Sequence, residues 1–327
     1  MEIISQDSSA LSILFPGLFK LLSFGDVRDS MKFLVTGGAG FIGSHLVRRL
    51  APLGEVTVLD NLSTGRESNL QGLPCRLLLG SILETEKLIK ALEGVSHVFH
   101  LAAMVSVPES VQKPDLCRQI NVEGTRLILE SAAQAGATRV VLASSCAIYG
   151  NDPAMPKQED LPPAPLSPYA ESKWEGEKLC ASAPLSAIAL RFFNVYGPRQ
   201  DPHGPYAAAV PKLLAAAAAG TPLPIHGDGQ QTRDFVYVED VTAALTHVAT
   251  QSSCQGVYNV ASGQSVSIME LARTILSVTG SKSPLEHLPT RLADVRHSSA
   301  SIQRLQTTGW KPSFTLASGL KRMISSS

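Results

Sequence analysis

The sequence predicts an α/β protein: a doubly wound parallel sheet, with a smaller C-terminal α/β domain for the substrate. Three observations carry this. Short apolar runs alternate with helical stretches, the pattern of parallel strands buried on both faces. A glycine-rich turn joins the first run to the first helical stretch. A later run ends in Ser144-Ser145, and a tyrosine and a lysine follow four residues apart, at Tyr169 and Lys173.

The first run is Lys32-Phe33-Leu34-Val35-Thr36, and Gly37-Gly38-Ala39-Gly40-Phe41-Ile42-Gly43 follows it, ahead of a helical stretch from Ser44 to Leu50. Strand, glycine turn and helix in that order suit a dinucleotide site. Gly37 allows the tight turn, Gly40 lets the backbone approach a pyrophosphate, and Gly43 lets helix and strand pack closely. The phosphates would meet the free N–H groups and positive end of the helix.

The second strand, Val56-Thr57-Val58-Leu59, ends in Asp60. A carboxylate about 20 residues past such a turn accepts from the adenine ribose 2′-OH and repels a 2′-phosphate, which favours NAD. Arg66 leaves NADP as the lesser alternative. Three more runs read as buried strands: Arg76-Leu77-Leu78-Leu79, His97-Val98-Phe99-His100-Leu101 and Arg139-Val140-Val141-Leu142-Ala143. The second of these runs into Ala102-Ala103, small enough for the backbone to lie against a cofactor. The third delivers Ser144-Ser145 to a strand's carboxyl end, where open parallel sheets bind ligands. A helix is expected from Asn121 to Ala135. The whole is a Rossmann arrangement.

Tyr169 and Lys173 fall one helical turn apart and share a face. Alone, such a pair is an ordinary helix surface. After a dinucleotide site it reads as chemistry: the ammonium and a positive nicotinamide both favour a phenolate, lowering the tyrosine pKa so that it can move a proton. Ser145 can bond the same substrate oxygen.

With these pieces in place, the chain resembles the extended short-chain dehydrogenase/reductase family, and within it the UDP-glucose and UDP-N-acetylglucosamine 4-epimerases. The matching stretches are Thr36 to Gly43, Asp60-Asn61-Leu62-Ser63-Thr64-Gly65, His100 to Ala103, Asn121, Ser145, Tyr169 with Lys173, Arg191 to Arg199, Gln200 to Lys212 and His226 to Phe235. The resemblance implies that Phe41, Ile42, Asn61, Ser81, Ile82, Leu101 and Asn121 join the cofactor site. It implies that Asn194, Arg233 and Arg291 hold the nucleotide diphosphate of a UDP-sugar, a task that suits arginine's bidentate fork. It places Ser298, seven residues past Arg291, against the sugar's C2 substituent, where a small residue leaves room for an N-acetyl group.

Two departures stand out. Ser81 occupies a position where the family usually carries Asp near the adenine. Cys146-Ala147 follows Ser145 where related N-acetyl-sugar epimerases often continue with serines; the family's 4,6-dehydratases carry an Asp-Glu pair in this strand-end loop and UDP-glucuronate decarboxylases a Glu, and this chain has neither. The activity implied is NAD-dependent C4 epimerisation. Another epimerase, reductase or decarboxylase of the family, or a silent NAD-binding regulator, stays open.

The 327 residues divide into residues 31–191 as the NAD-binding part, with 234–261 returning to it, and 192–233 with 262–327 as the sugar part. A helix around Leu213 to Ala219 should end at Gly220, and a last short helix should follow Gly309-Trp310-Lys311-Pro312. The segment Leu11 to Phe24 is broken by Pro16, Gly17 and Lys20 and falls short of the roughly 20 residues of a membrane span. Glu2 and Asp7 deny it the basic start of a signal peptide. Residues 1–30 are therefore expected to be an extension ahead of a natural start at Met31. Twenty-eight basic and 28 acidic residues give no net charge, so nothing favours nucleic acid or an acidic membrane. The five cysteines lack metal-ligand spacing, which fits a cytoplasmic protein with reduced thiols. A homodimer is the expected assembly.

Overall fold

The computed structural model describes residues 31–202, 208–290 and 296–325. The N-terminal extension and Arg291 lie outside the described residues. The strands are β1 (Met31–Thr36), β2 (Gly54–Asp60), β3 (Arg76–Leu79), β4 (His97–His100), β5 (Arg139–Ser145), β6 (Ser186–Phe192), β7 (Asn194–Tyr196), β8 (Leu223–His226), β9 (Thr232–Tyr237), β10 (Gly256–Val260), β11 (Ser265–Ser267) and β12 (Leu285–Leu288). The helices are α1 (Phe41–Leu50), α2 (Thr85–Ala91), α3 (Val107–Gln112), α4 (Pro114–Arg118), α5 (Gly124–Gln134), α6 (Pro168–Ala181), α7 (Ala209–Ala219), α8 (Val238–Thr250), α9 (Ile268–Thr279), α10 (Gln303–Gln306) and α11 (Leu316–Ser325).

Seven strands form one sheet in the order β10-β6-β5-β4-β1-β2-β3, every neighbouring pair parallel. Side chains alternate across it. Phe33 and Val35 face a core shared with Leu46, Val47 and Leu50 of α1 and Val241, Leu245 and Val248 of α8. Leu34 faces the opposite core with Leu88 of α2 and Ile128, Leu129 and Ala132 of α5. Strand order reverses between β1 and β4, and in such sheets the crevice at the reversal takes the ligand.

A third core joins α7, α9 and α11 to a three-stranded sheet, β11-β9-β7, and a parallel pair, β12-β8. Gly220, at φ +68, ends α7 as expected, and a Ser267–Glu270 capping box starts α9.

Three sequence expectations need correction. Arg76–Leu79 is the edge strand of the large sheet, with Leu79 57% exposed. Its lone neighbour, β2, leaves one margin open to solvent, which the leading arginine suits. The helix expected from Asn121 starts as a single π turn, Gln119–Glu123, and is α-helical only from Gly124. Asp234 to Tyr237 belong to the small sheet, while α8 and β10 return to the large one.

Candidate active site

The glycine turn is shaped by close backbone contact. Gly37 has φ +70, and a Cβ there would lie 2.8 Å from the Ala102 nitrogen. At Gly43 a Cβ would lie 2.2 Å from the Gly37 carbonyl oxygen. Gly40 caps α1 without a side chain, and no acidic residue lies in the first turn, so the helix end is open to an anion. Asp60 is 7% exposed. Its Oδ2 accepts from Ala39 N at 2.9 Å and its Oδ1 from Leu62 N at 2.8 Å. The carboxylate thus braces the turn. Asn61 accepts from Ser63 N. Ser81 accepts from Leu83 N through its hydroxyl and donates its own N–H to Glu84. Ile82 is buried and packs so tightly on Gly124 that a Cβ there would fall 2.4 Å from Ile82 Cδ1.

Beyond the turn, a chain of hydrogen bonds has a fixed direction. The Ala102 N–H donates to Thr36 Oγ1 at 3.3 Å, and that oxygen lies 2.8 Å from His100 Nδ1. At the other end Thr125 donates to the Asn121 carbonyl at 2.6 Å, so it accepts from His100 Nε2–H at 3.0 Å. Burial keeps the ring neutral, so His100 is the Nε2–H tautomer and its Nδ1 accepts from the Thr36 hydroxyl. Asn121 continues the chain: its Oδ1 takes Met104 N, and its Nδ2 donates to Met104 O and Ser172 Oγ. The loop Leu101–Met104 is clamped between the glycine turn and α6.

Ser167 caps α6 through Ala170 N, and Pro168 presets its first turn. Lys173 is buried and donates to the Ala143 carbonyl at 2.8 Å. Its ammonium lies 5.8 Å from the Tyr169 ring centre. Burial pulls the Lys173 pKa down to about 8. Burial pushes Tyr169 up to about 12, against a hydrogen bond from Ser145 that lowers it. The expected depression of the tyrosine is thus not built into the protein's own groups. Desolvation outweighs an ammonium turned toward a carbonyl. Ser145 also accepts from Ala147 N at 3.2 Å. The neighbouring Cys146 thiol is pushed up to about 12 by burial, so it is neutral rather than nucleophilic.

Behind this trio lies a polar network absent from the sequence reading. Glu177, two turns beyond Tyr169 on α6, accepts from Ser144 Oγ at 2.6 Å and takes Arg191 in a bidentate pair at 2.9 and 2.8 Å. Burial works against the Arg191 charge, and Glu177 more than restores it. Arg191 lies over the Tyr149 ring, whose hydroxyl donates to Asn259.

On the sugar side, Asn194 and Arg233 line a cavity of about 260 Å³ with Lys212, His226 and Gln231. Asn194 donates to the Asp234 carbonyl. Ser298, half-buried, is placed by backbone pairing. Thr232 N donates to Arg296 O at 2.9 Å and Ser298 N to Thr232 O at 3.1 Å. His297 therefore sits beside Thr232, their side chains 3.2 Å apart, and Ser298 shares the face of Arg233. A larger cavity, about 1250 Å³ between α1, α7 and α11, includes none of Ser145, Tyr169 and Lys173. Chemistry, not size, marks the site.

Two buried histidines set an expected pH dependence. Burial lowers His45 to about 4 and His100 to about 3. Below about pH 6.5 the unfolded chain binds protons that these folded imidazoles refuse, so stability is present above that pH and is lost as pH falls. Urea unfolding midpoints should hold steady from pH 8 to about 7, then drop steadily toward pH 5. A flat midpoint across that range would contradict the assignment.

A dinucleotide crevice at the reversal of a parallel sheet, with a serine, a tyrosine and a buried lysine beside it, defines a nicotinamide-dependent enzyme of the short-chain type. Residues 33–261 match the NAD dependent epimerase/dehydratase family, and the chain belongs to that family. It is 38% identical to the UDP-glucose 4-epimerase of Mycolicibacterium smegmatis, covering 90% of this chain and 97% of that protein. It is 35% identical to a UDP-N-acetyl-alpha-D-glucosaminuronate decarboxylase of Bacillus cytotoxicus, covering 78% and 83%. Among solved structures, the UDP-N-acetylglucosamine 4-epimerase from Methanobrevibacter ruminantium M1, in complex with UDP-N-acetylmuramic acid, superposes with a TM-score of 0.85 at 37% identity, over 91% of this chain and 99% of that one.

Proposed function

We propose that the protein interconverts C4 epimers of UDP-hexoses, acting on UDP-N-acetylglucosamine and UDP-N-acetylgalactosamine and on UDP-glucose and UDP-galactose. The observation that carries this is the trio itself: Ser145 stands beside Tyr169 and lowers its pKa against the effect of burial, and Lys173 is anchored one turn away. The residues after Ser145 are Cys146 and Ala147, so the strand-end loop supplies no extra acid for dehydration or decarboxylation. This supports redox at one carbon, with the proton returned.

The bound NAD would lie along Gly37, Gly40, Gly43, Asp60 and Ala102, where it supplies a reversible hydride acceptor and a positive ring. Tyr169 takes the proton of the sugar's O4, and Ser145 holds that oxygen. Lys173 keeps the phenolate charge tolerable in a buried setting. The 4-keto sugar turns over so that C4 would take its hydride back on the opposite face, and Tyr169 returns the proton to O4. The sugar domain, residues 192–233 and 262–327, would grip the nucleotide through Asn194, Arg233 and Arg291 while the hexose turns.

Incubation with UDP-N-acetylglucosamine and with UDP-glucose tests this directly. Proton NMR should show both C4 epimers appearing without net NADH. Loss of water or CO₂ instead would favour a dehydratase or decarboxylase, and no reaction a silent regulator. Ser298→Tyr tests the sugar reading. Overfilling a fitted pocket costs about 1–3 kcal/mol, so turnover of the N-acetyl sugars should fall roughly tenfold or more while UDP-glucose turnover survives. Equal loss on both pairs would remove Ser298 from the sugar's C2 side.

A further inference from the structure

His100 sits buried at the carboxyl end of β4 with both ring nitrogens in use. On one side its Nδ1 accepts from Thr36, whose Oγ1 also takes the Ala102 N–H. Ala102 packs so closely on Gly37 that a Cβ there would not clear it. On the other side the His100 Nε2–H meets Thr125, which donates to the Asn121 carbonyl. Asn121 donates to Ser172 at 2.9 Å, and Ser172 donates to the Tyr169 carbonyl at 2.7 Å. Thr36, Thr125, Asn121 and Ser172 are all buried. A buried path of hydrogen bonds thus runs from the glycine turn to the first turn of α6, and low polarity around it strengthens each bond.

Two features make His100 more than a packed ring. The imidazole is rigid, with an acceptor on one edge and a donor on the other, so a shift of either threonine is passed to its opposite number. Thr125, moreover, supports unusual backbone. Its hydroxyl bonds the Asn121 carbonyl at the centre of the π turn Gln119–Glu123. Such single turns are rare and occur often at functional sites. We propose that His100 is a positioning residue: through Thr36 it fixes the backbone seat of the cofactor, and through Thr125 it fixes the π turn and the start of α6 that carries Tyr169. This rests on the reading above, in which NAD lies along Gly37 and Ala102 and Tyr169 moves the proton. With both nitrogens occupied, His100 has none left for cofactor or sugar, so it acts through its neighbours.

Amide side chains cut the path at one end at a time. Asparagine keeps an acceptor near the Nδ1 position and falls short of Thr125. Glutamine carries a donor near the Nε2 position and leaves Thr36 without its acceptor. Two measurements on the full-length protein read the result: NAD affinity, from the rise of the unfolding midpoint with added NAD, and deuterium exchange of residues 168–173 in the NAD-saturated protein. His100→Asn should speed exchange at the start of α6 roughly tenfold, the scale of one buried hydrogen bond, with a smaller change in NAD affinity. His100→Gln should weaken NAD binding roughly tenfold, with a smaller change in exchange. Thr125→Val should follow the first and Thr36→Val the second, and this pair decides the matter if a ring replacement fails to fold. Losses in equal proportion in both variants of a pair, in step with the unfolding midpoint, would mark a packed core histidine and overturn the proposal. No change in either measurement would overturn it too. The underlying reading fails differently. If the wild type leaves UDP-glucose unchanged, the epimerase reading falls, and exchange and NAD affinity still decide for or against the path. If the wild type binds no NAD, both fall together.

Discussion

Tyr169→Phe should lower turnover by at least about 10²-fold while NAD stays bound, because general acid–base groups contribute about that much or more. The substitution removes one oxygen and little else. The Tyr169 backbone still donates to Ser110 Oγ at 3.1 Å, and Ser167 and Pro168 still start α6. The glycine turn and Asp60 lie on other elements. A phenylalanine keeps the ring in its place, so the helix has no reason to shift. Ser145 keeps the bond from Ala147 N. The residual rate would come from positioning alone, with hydroxide or Ser145 standing in poorly for the phenolate. Steady-state turnover beside the measured NAD content of the purified variant separates chemistry from cofactor loss. A variant that works like the wild type would place the base elsewhere.

How far the site could be read from sequence follows from the range of its interactions. The glycine turn, the strand ending in Asp60 and the Tyr169–Lys173 pair are local patterns, complete within a few residues, and each surfaced as a motif. The edge position of Arg76–Leu79 is not local: an apolar run reads alike in the centre and at the margin, and only pairing tells them apart. His100 stood inside a recognised stretch, yet its tautomer follows from Thr125, which lies 25 residues away. The Glu177–Arg191 pair joins a helix to a strand 14 residues on, and nothing in either segment announces it. The tyrosine pKa shows the same limit, because sequence supplied the charges and omitted the burial that opposes them.

Glu177→Ala should be the most damaging change to stability outside the apolar cores, at about 3–5 kcal/mol. Arg191 is 3% exposed and would be left as a buried charge with its main partner gone. Its remaining bond, to the Glu159 carbonyl at 3.1 Å, and its contact with the Tyr149 ring do not neutralise it. Ser144 Oγ would also lose its acceptor, at the end of the strand that carries Ser145. The loss therefore reaches the chemistry. The strand is tied to α6 at two points, Lys173 to the Ala143 carbonyl and Glu177 to Ser144, and the variant releases one of them. Turnover should fall along with the denaturation midpoint. The double change Glu177→Leu with Arg191→Met discriminates between a missing charge partner and a missing volume. Replacing both ions with apolar groups removes the unpaired charge, and such exchanges are often close to neutral. Most of the stability should return. Turnover should recover less, since Ser144 still lacks its acceptor. Urea unfolding of the three proteins at pH 7.5 reads this out. A single-variant loss below about 1 kcal/mol, the level of an exposed pair, would show that the ion pair does not hold α6 to the strand.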